Sequence, residues 1–426
     1  MSAPPATWSL VKLGEISEFK YGKALPATVR DGGEFPVYGS NGIVGQHSTW
    51  LSVGPTIIIG RKGSVGEVCF SDKNCSPIDT TYYVDSFEFL EPKFYFYLLK
   101  TLRLGHLNKS TAIPGLNRQD AYDLEIGLPP LAEQTRIAAK LDELLAQVDT
   151  LKTRIDSIPA LLKRFRQSVL AYAVSGQLTE EWRSSNKLAS PIVSKFEDLL
   201  KDRGKLSYGV LKPGDADPEG VPMVRVMDIG EWGKIDRAEI FKISKALSEE
   251  YKRTVLEKGD ILLSVMATIG RAAIVPESLV GGNVNRALAV IKLGNVVSAE
   301  FAFFQIMSPQ FQLEFVEKQL GSAQRRINLS DLREFTVLVP AREEQTEIVR
   351  RVEQLFAFAD QLETRVKVAQ ARINHLTQSI LDKAFRGELV AQEPTDEPAS
   401  VLLERIKAQR ITVPKAKRGR RAATLD

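Results

Sequence analysis

Two long stretches of the chain place apolar residues in alternating steps of four and three. The first runs Ile137, Leu141, Leu144, Val148, Leu151, Ile155, Ile158, Leu162, Phe165 and Val169. The second runs Ile348, Val352, Leu355, Ala359, Leu362, Val366, Ala369, Ile373, Leu376 and Ile380. Such a heptad seam predicts a helix that lies against another helix. Each helix should cover about 45 residues, so about 65 Å at 1.5 Å per residue. Pro129-Pro130 and Pro340 stand where a helix can begin, and Glu133, Glu343 and Glu344 suit the positive end of the dipole. Gly176 and Gly387 stand where a helix can stop. Pro159 removes one hydrogen bond and predicts a kink in the first helix, whereas Gln370 fills that place in the second.

Residues 1–128 and 186–339 read differently, with Gly, Pro, β-branched and aromatic residues in short runs. In the first, Pro55-Thr-Ile-Ile-Ile59 predicts a buried strand, residues 60–64 a turn and residues 65–70 a return strand. In the second, Ile261-Leu-Leu-Ser-Val265, the loop 266–270 and Arg271-Ala-Ala-Ile-Val275 repeat that plan. A helical stretch follows in each, at 92–104 and 299–315, and then a polar loop, at 108–117 and 320–328.

The two seams are copies of one another. Residues 129–181 align without a gap on 340–392 at an offset of 211, with 18 identities in 53 positions. Chance would give roughly 3, at about 6% per position. The same offset pairs Asn117 with Asn328 and Asp120 with Asp331. A fused pair of similar units implies pseudo-twofold symmetry and two similar surfaces for a partner. The predicted fold is α+β: two globular domains separated by two long helices that form an antiparallel coiled coil, with a pseudo-twofold internal repeat. Its segments are 1–128, a central repeat helix at 129–185, 186–339, a second repeat helix at 340–393, and 394–426. The last holds a short amphipathic helix at 398–410 and a basic end, Pro414-Lys-Ala-Lys-Arg-Gly-Arg-Arg421, read as a solvated tail or a non-specific phosphate contact.

Composition adds little. The 426 residues carry a net charge of +4, which does not by itself indicate nucleic acid. Two cysteines, Cys69 and Cys75, exclude a disulfide framework. Neither a secretion signal nor a membrane-length apolar run is visible, so the cytoplasm is the expected compartment.

The motifs Leu128-Pro-Pro-Leu-Ala-Glu-Gln134, Leu144-Leu-Ala-Gln-Val-Asp149, Leu162-Lys-Arg-Phe-Arg-Gln-Ser-Val-Leu170 and Gly176-Gln-Leu-Thr179 carry a resemblance. So do their second copies, Glu344-Gln345, residues 348–356 and residues 376–389. With two dissimilar globular segments between them, the whole resembles the specificity subunit of a Type I restriction–modification system, close to the enteric Type IA subfamily. The resemblance implies that each globular segment is a target-recognition domain reading one half of a split, asymmetric double-stranded DNA site, with the helices as spacer. It implies about one helical turn between half-site centres. It further implies two methyltransferase subunits that flip and methylate an adenine in each half-site, and two motor–nuclease restriction subunits. S-adenosylmethionine, ATP and magnesium would belong to those partners, and no cofactor to this chain.

Absent motifs agree with a non-catalytic chain. The sequence has no Asn/Asp-Pro-Pro-aromatic tetrapeptide for adenine methylation and no phosphate-binding G-x-x-x-x-G-K-[ST]. A nuclease-like spacing, Asp79 with Glu91 and Lys93, is weakened by Pro92, which disfavours a central strand. Cys69, Cys75, His47 and His106 have no zinc-site spacing. Base readout needs polar side chains reaching from loops. The candidates are Arg61, Lys62, Ser64, Lys109, Ser110 and Thr111 in the first domain, and Arg225, Arg271, Gln324, Arg325 and Arg326 in the second. Tyr38, Tyr82 and Trp50 are candidate base stackers that equally suit a core.

Overall fold

A computed structural model describes residues 5–107, 115–201, 206–235, 240–266, 268–320 and 326–412. The heptad seams form helices of 44 residues each, Leu131–Val174 and Arg342–Phe385. The first runs through Pro159 as one element. Proline's fixed φ is helical, and long flanking turns hold the strand of backbone across the one missing bond.

The chain divides into two compact units, one of residues up to Ile155 together with those from Ala369 onward, the other Asp156–Val368. In the first unit, Ile137, Leu141 and Val148 of the first long helix share a core with Ile373, Ile380 and Ala384 of the second. In the other, Val169, Leu170 and Ala173 share a core with Ile348 and Val352. In each unit the opening end of one helix meets the closing end of the other, so the pair is antiparallel. The seam is not closed throughout: Leu151 and Leu376 are exposed.

Among the described residues the globular part of the first unit has nine strands: β1 (Ser9–Lys12), β2 (Lys20–Tyr21), β3 (Phe35–Gly39), β4 (Gly42–His47), β5 (Thr56–Gly60), β6 (Val68–Ser71), β7 (Ser76–Pro77), β8 (Thr81–Val84) and β9 (Glu125–Leu128). The second unit repeats them: β10 (Ile192–Lys195), β11 (Ser207–Tyr208), β12 (Val221–Val224), β13 (Lys242–Ile243), β14 (Ile261–Ser264), β15 (Ala272–Ile274), β16 (Asn283–Val284), β17 (Leu288–Ile291) and β18 (Thr336–Val339). The sheet order β2-β8-β5-β6 matches β11-β17-β14-β15, β4-β3-β7 matches β13-β12-β16, and β1-β9 matches β10-β18. Among the described residues each domain has a parallel pair at the same place, β3 with β7 and β12 with β16. The two domains therefore have one topology despite dissimilar sequences. The central strands β5 and β14 are buried along their whole length, which is why both read as unbroken apolar runs. Each turn that follows closes through a glycine at positive φ. Gly66 donates to Gly60 O at 2.8 Å, and Gly270 donates to Ser264 O at 2.9 Å.

The stretch predicted as one helix at 299–315 is two, Ala299–Met307 and Pro309–Leu320. Pro309 forces Ser308 into an extended conformation, which stops the first helix, and the Ser308 hydroxyl accepts from Phe311 N. The predicted helix at 92–104 spans Pro92–Thr101.

The repeated Glu-Gln pair does more than match the dipole: it joins elements. Gln134 Nε2 donates to Pro129 O at 3.0 Å, and its Oε1 accepts from Glu91 N at 3.0 Å, tying the helix start to the capping residue of Pro92–Thr101. Gln345 does the same with Pro340 O at 2.9 Å and Ser298 N at 2.9 Å. Glu133 Oε1 accepts from Trp8 Nε1 at 3.0 Å and Gln392 Nε2 at 2.6 Å. Glu344 Oε1 accepts from Thr179 Oγ1 at 2.7 Å and pairs with Arg183 at 2.8 Å. All four side chains are buried. Burial pushes the Glu133 carboxyl above the ordinary glutamate range, against its hydrogen bonds to Gln392 and Trp8. The first unit is closed by the segment after the second long helix: Thr7 donates to Gln392 at 2.7 Å, and the helix Ala399–Thr412 buries Ala399, Leu402 and Ile406.

Candidate nucleic-acid interface

In each domain the turn after the central strand meets the polar closing loop. Lys62 bridges Gly115, and Leu116 N donates to Arg61 O at 2.9 Å. Met266 bridges Arg326, and Ile327 N donates to Val265 O at 3.0 Å. Two segments chosen from sequence for their polar character are thus neighbours, at matching corners of the two domains.

In the first domain the corner is cationic and aromatic. The Arg61 guanidinium lies 5.3 Å from the Tyr21 ring centroid and 5.8 Å from that of Tyr82, and donates to Asp79 O at 2.7 Å. Arg118 lies 5.3 Å from Tyr21 and 5.7 Å from Tyr122, and donates to Phe19 O at 3.1 Å. Guanidinium over an aromatic face is favourable and fixes the cation without neutralising it. Lys62 is exposed and Ser64 half-buried in the same turn. Burial, assisted by the Tyr21 hydrogen bond, pushes the Tyr82 phenol up to about 12, so it stays neutral. Lys109, Ser110 and Thr111 lie outside the described residues.

In the second domain the corner is a cleft of about 680 Å³ lined by Tyr208, Gly209, Leu211, Tyr251, Met266, Arg286 and Arg326. Arg271 is exposed on the return side of the turn and donates to Ile229 O at 3.1 Å. Arg225 is committed elsewhere: its Nε and Nη2 both donate to the buried Asp228 carboxylate at 3.1 Å. Gln324 and Arg325 lie outside the described residues.

Tyr21, Arg118, Tyr208 and Arg286 were not singled out from sequence. A signal existed for two of them, since the dipeptide Tyr-Gly stands at 21–22 and again at 208–209, at equivalent strands. Of the candidate stackers, Tyr38 and Tyr82 are buried, and Trp50 is exposed with its ring 4.7 Å from that of Phe35. Two of the nuclease-like trio have other work. Glu91 caps a helix by accepting from Phe94 N, and Lys93 pairs with Asp142. Among the described residues no group of three His, Cys, Asp or Glu side chains is placed to hold a metal ion. Cys69 and Cys75 are free, and burial pushes both thiols up. No helix among the described residues is long and apolar enough to cross a membrane.

The model of the Type I restriction modification DNA specificity domain matches twice, at residues 5–160 and 204–369. The chain belongs to the Type I specificity family. Each match of that family begins in a globular domain and runs into the following long helix, which is the repeat seen in the fold. Among relatives in the family, the EcoBI specificity subunit of Escherichia coli is 41% identical over 75% of this chain and 72% of its own. The EcoDI specificity subunit, also of Escherichia coli, is 30% identical over 95% of this chain and 96% of its own. The crystal structure of the HsdS subunit from Thermoanaerobacter tengcongensis superposes with a TM-score of 0.55 at 20% identity, covering 91% of this chain and 98% of that one, and so shares the fold.

Proposed function

We propose that this chain is the non-catalytic, DNA-reading subunit of a Type I restriction–modification complex. It binds a bipartite asymmetric site, one half per globular domain, and directs partner subunits to methylate adenine or to restrict unmethylated DNA. The observation that carries this reading is the matched pair of corners. One topology, twice, offers a tyrosine and two arginines to solvent, and the arginines come from different positions in the two copies. A shared frame with differing polar tips is what reading two different half-sites requires. Candidate contacts are Arg61, Lys62, Ser64, Lys109, Ser110 and Thr111 in one domain and Arg271, Gln324, Arg325 and Arg326 in the other, with Arg225 the weakest because Asp228 holds it.

Two methyltransferase subunits bind the duplicated frame, and two restriction subunits complete the nuclease. S-adenosylmethionine, ATP and magnesium belong to those partners. A duplicated apolar position supports two copies of one partner. Leu10 on β1 and Val193 on β10 occupy the same register, opposite Gly127 and Leu338, and are 64% and 69% exposed. The test is genome-wide adenine methylation in cells that carry this chain with its neighbouring methyltransferase, compared with cells lacking it. A split motif with one methylated adenine per half, gained only with this chain, is expected. No gain, with the methyltransferase shown active beside another specificity subunit, would overturn the reading.

A further inference from the structure

The two corners share one side chain and differ in the rest. Tyr21 pairs with Tyr82 across β2 and β8, and Tyr208 pairs with Ala289 at the equivalent place across β11 and β17. The residue after each is a glycine that nothing larger can replace. A Cβ on Gly22 would stand 2.1 Å from Ile78 O, and one on Gly209 would stand 2.1 Å from Val284 O. The chain is therefore pressed against the same neighbouring segment in both domains, and the tyrosine before it is held partly in solvent, 52% exposed at Tyr21 and 38% at Tyr208.

The cations around these tyrosines are not shared. Matching backbone hydrogen bonds align Arg61 with Val265 and Asp79 with Arg286. The bridges align Lys62 with Met266 and Gly115 with Arg326. The first domain thus draws its arginines from the turn and from Arg118 on the closing helix, the second from Arg286 and the closing loop at Arg326. Each domain keeps the tyrosine and moves the guanidinium groups.

Resting on the DNA-reading function, a division of labour follows. A residue kept in two readers of two different half-sites contacts what the half-sites have in common, and residues that differ contact what differs. What any two duplex sites have in common is the sugar–phosphate backbone, to which a tyrosine hydroxyl readily donates. We propose that Tyr21 and Tyr208 are paired backbone contacts, one phosphate in each half-site, which set the register in which Arg61 and Arg118, or Arg286 and Arg326, reach base edges.

The experiment uses the full chain assembled with its methyltransferase, in wild-type form and as Y21F, Y208F, R61A and R326A. Affinity is measured on the cognate duplex and on unrelated duplexes across a range of salt, and the methylated motif is determined for each variant. Each tyrosine variant is expected to lose about 10- to 100-fold affinity, on the scale of one hydrogen bond to a charged acceptor. The loss should be equal on every duplex, with the motif unchanged. Because a phenol displaces no counterion, the slope of affinity against salt should also stay as in wild type. R61A and R326A should each relax one base in their own half-site. A tyrosine loss confined to the cognate duplex, or an altered motif, would show base reading and overturn the proposal, as would unchanged affinity on all duplexes. Failure of the wild-type complex to methylate any defined motif would instead refute the DNA-reading function itself.

Discussion

Glu133 is a carboxylate buried at a joint, and its ionisation has a cost. Its folded pKa is raised above the ordinary 4.5, mainly by desolvation, so the charged form burdens the fold near neutrality and is relieved as pH falls through the raised value. Glutamine at this site keeps the oxygen that accepts from Trp8 and Gln392 and removes the charge. Unfolding midpoints in urea at several pH values should show E133Q gaining on wild type most near pH 7, with the gap narrowing towards pH 4.5. A gap that widens on acidification would show that the charge stabilises. The Glu-Gln pair was legible in the sequence as a repeated motif. Its role as a joint was not, because the partners of Glu133 sit at Trp8 and Gln392, on opposite sides of it in sequence and far from it. The readable part of each corner was its loop chemistry. Arg118 and Arg286 were hidden because only the packing of other segments brings them to the corner.

At the scale of elements, long periodic helices and buried central strands were legible because each repeats its signal over many residues. The two-residue strands β2, β7, β11, β13 and β16 were not, since two positions define no period. Yet β2 and β11 place the shared tyrosines. G22A and G209A should each destabilise their own domain by about 2 kcal/mol or more, because the added methyl meets a backbone carbonyl that cannot move aside. Hydrogen exchange in the affected sheet would report it, and unchanged protection would mean that the strand can retreat. On β1 and β10, L10D and V193D replace exposed apolar side chains and should leave the fold intact. If two methyltransferase subunits bind as proposed, each variant is expected to lose one of them, read by native mass spectrometry as a change from two copies to one. Two retained copies in both variants would place the docking surface elsewhere.

For the whole molecule, the first unit is made from both ends of the chain and the second from its middle. Deleting residues 387–426 removes Gln392 from Glu133 and the apolar face of Ala399–Thr412 from the first core. Hydrogen exchange on that truncated chain should rise across residues 5–16 and 131–141, while the second domain around β14 and β17 stays protected. Equal loosening of both domains would show that the terminal segment acts globally. The repeat made the duplication legible from sequence, but not that Thr7 meets Gln392, a pairing across 385 residues.

That closure sets an order in time. The second unit has all its residues once Val368 has been made, whereas the first waits for the helix around Ile406, roughly 250 residues after Ile155. At about 5–20 residues per second, that is roughly 12–50 s during which the domain synthesised first lacks its lid of terminal residues. The domain made second is the one that can finish first, and during every round of translation the N-terminal domain presents an incomplete core to whatever chaperones attend the ribosome.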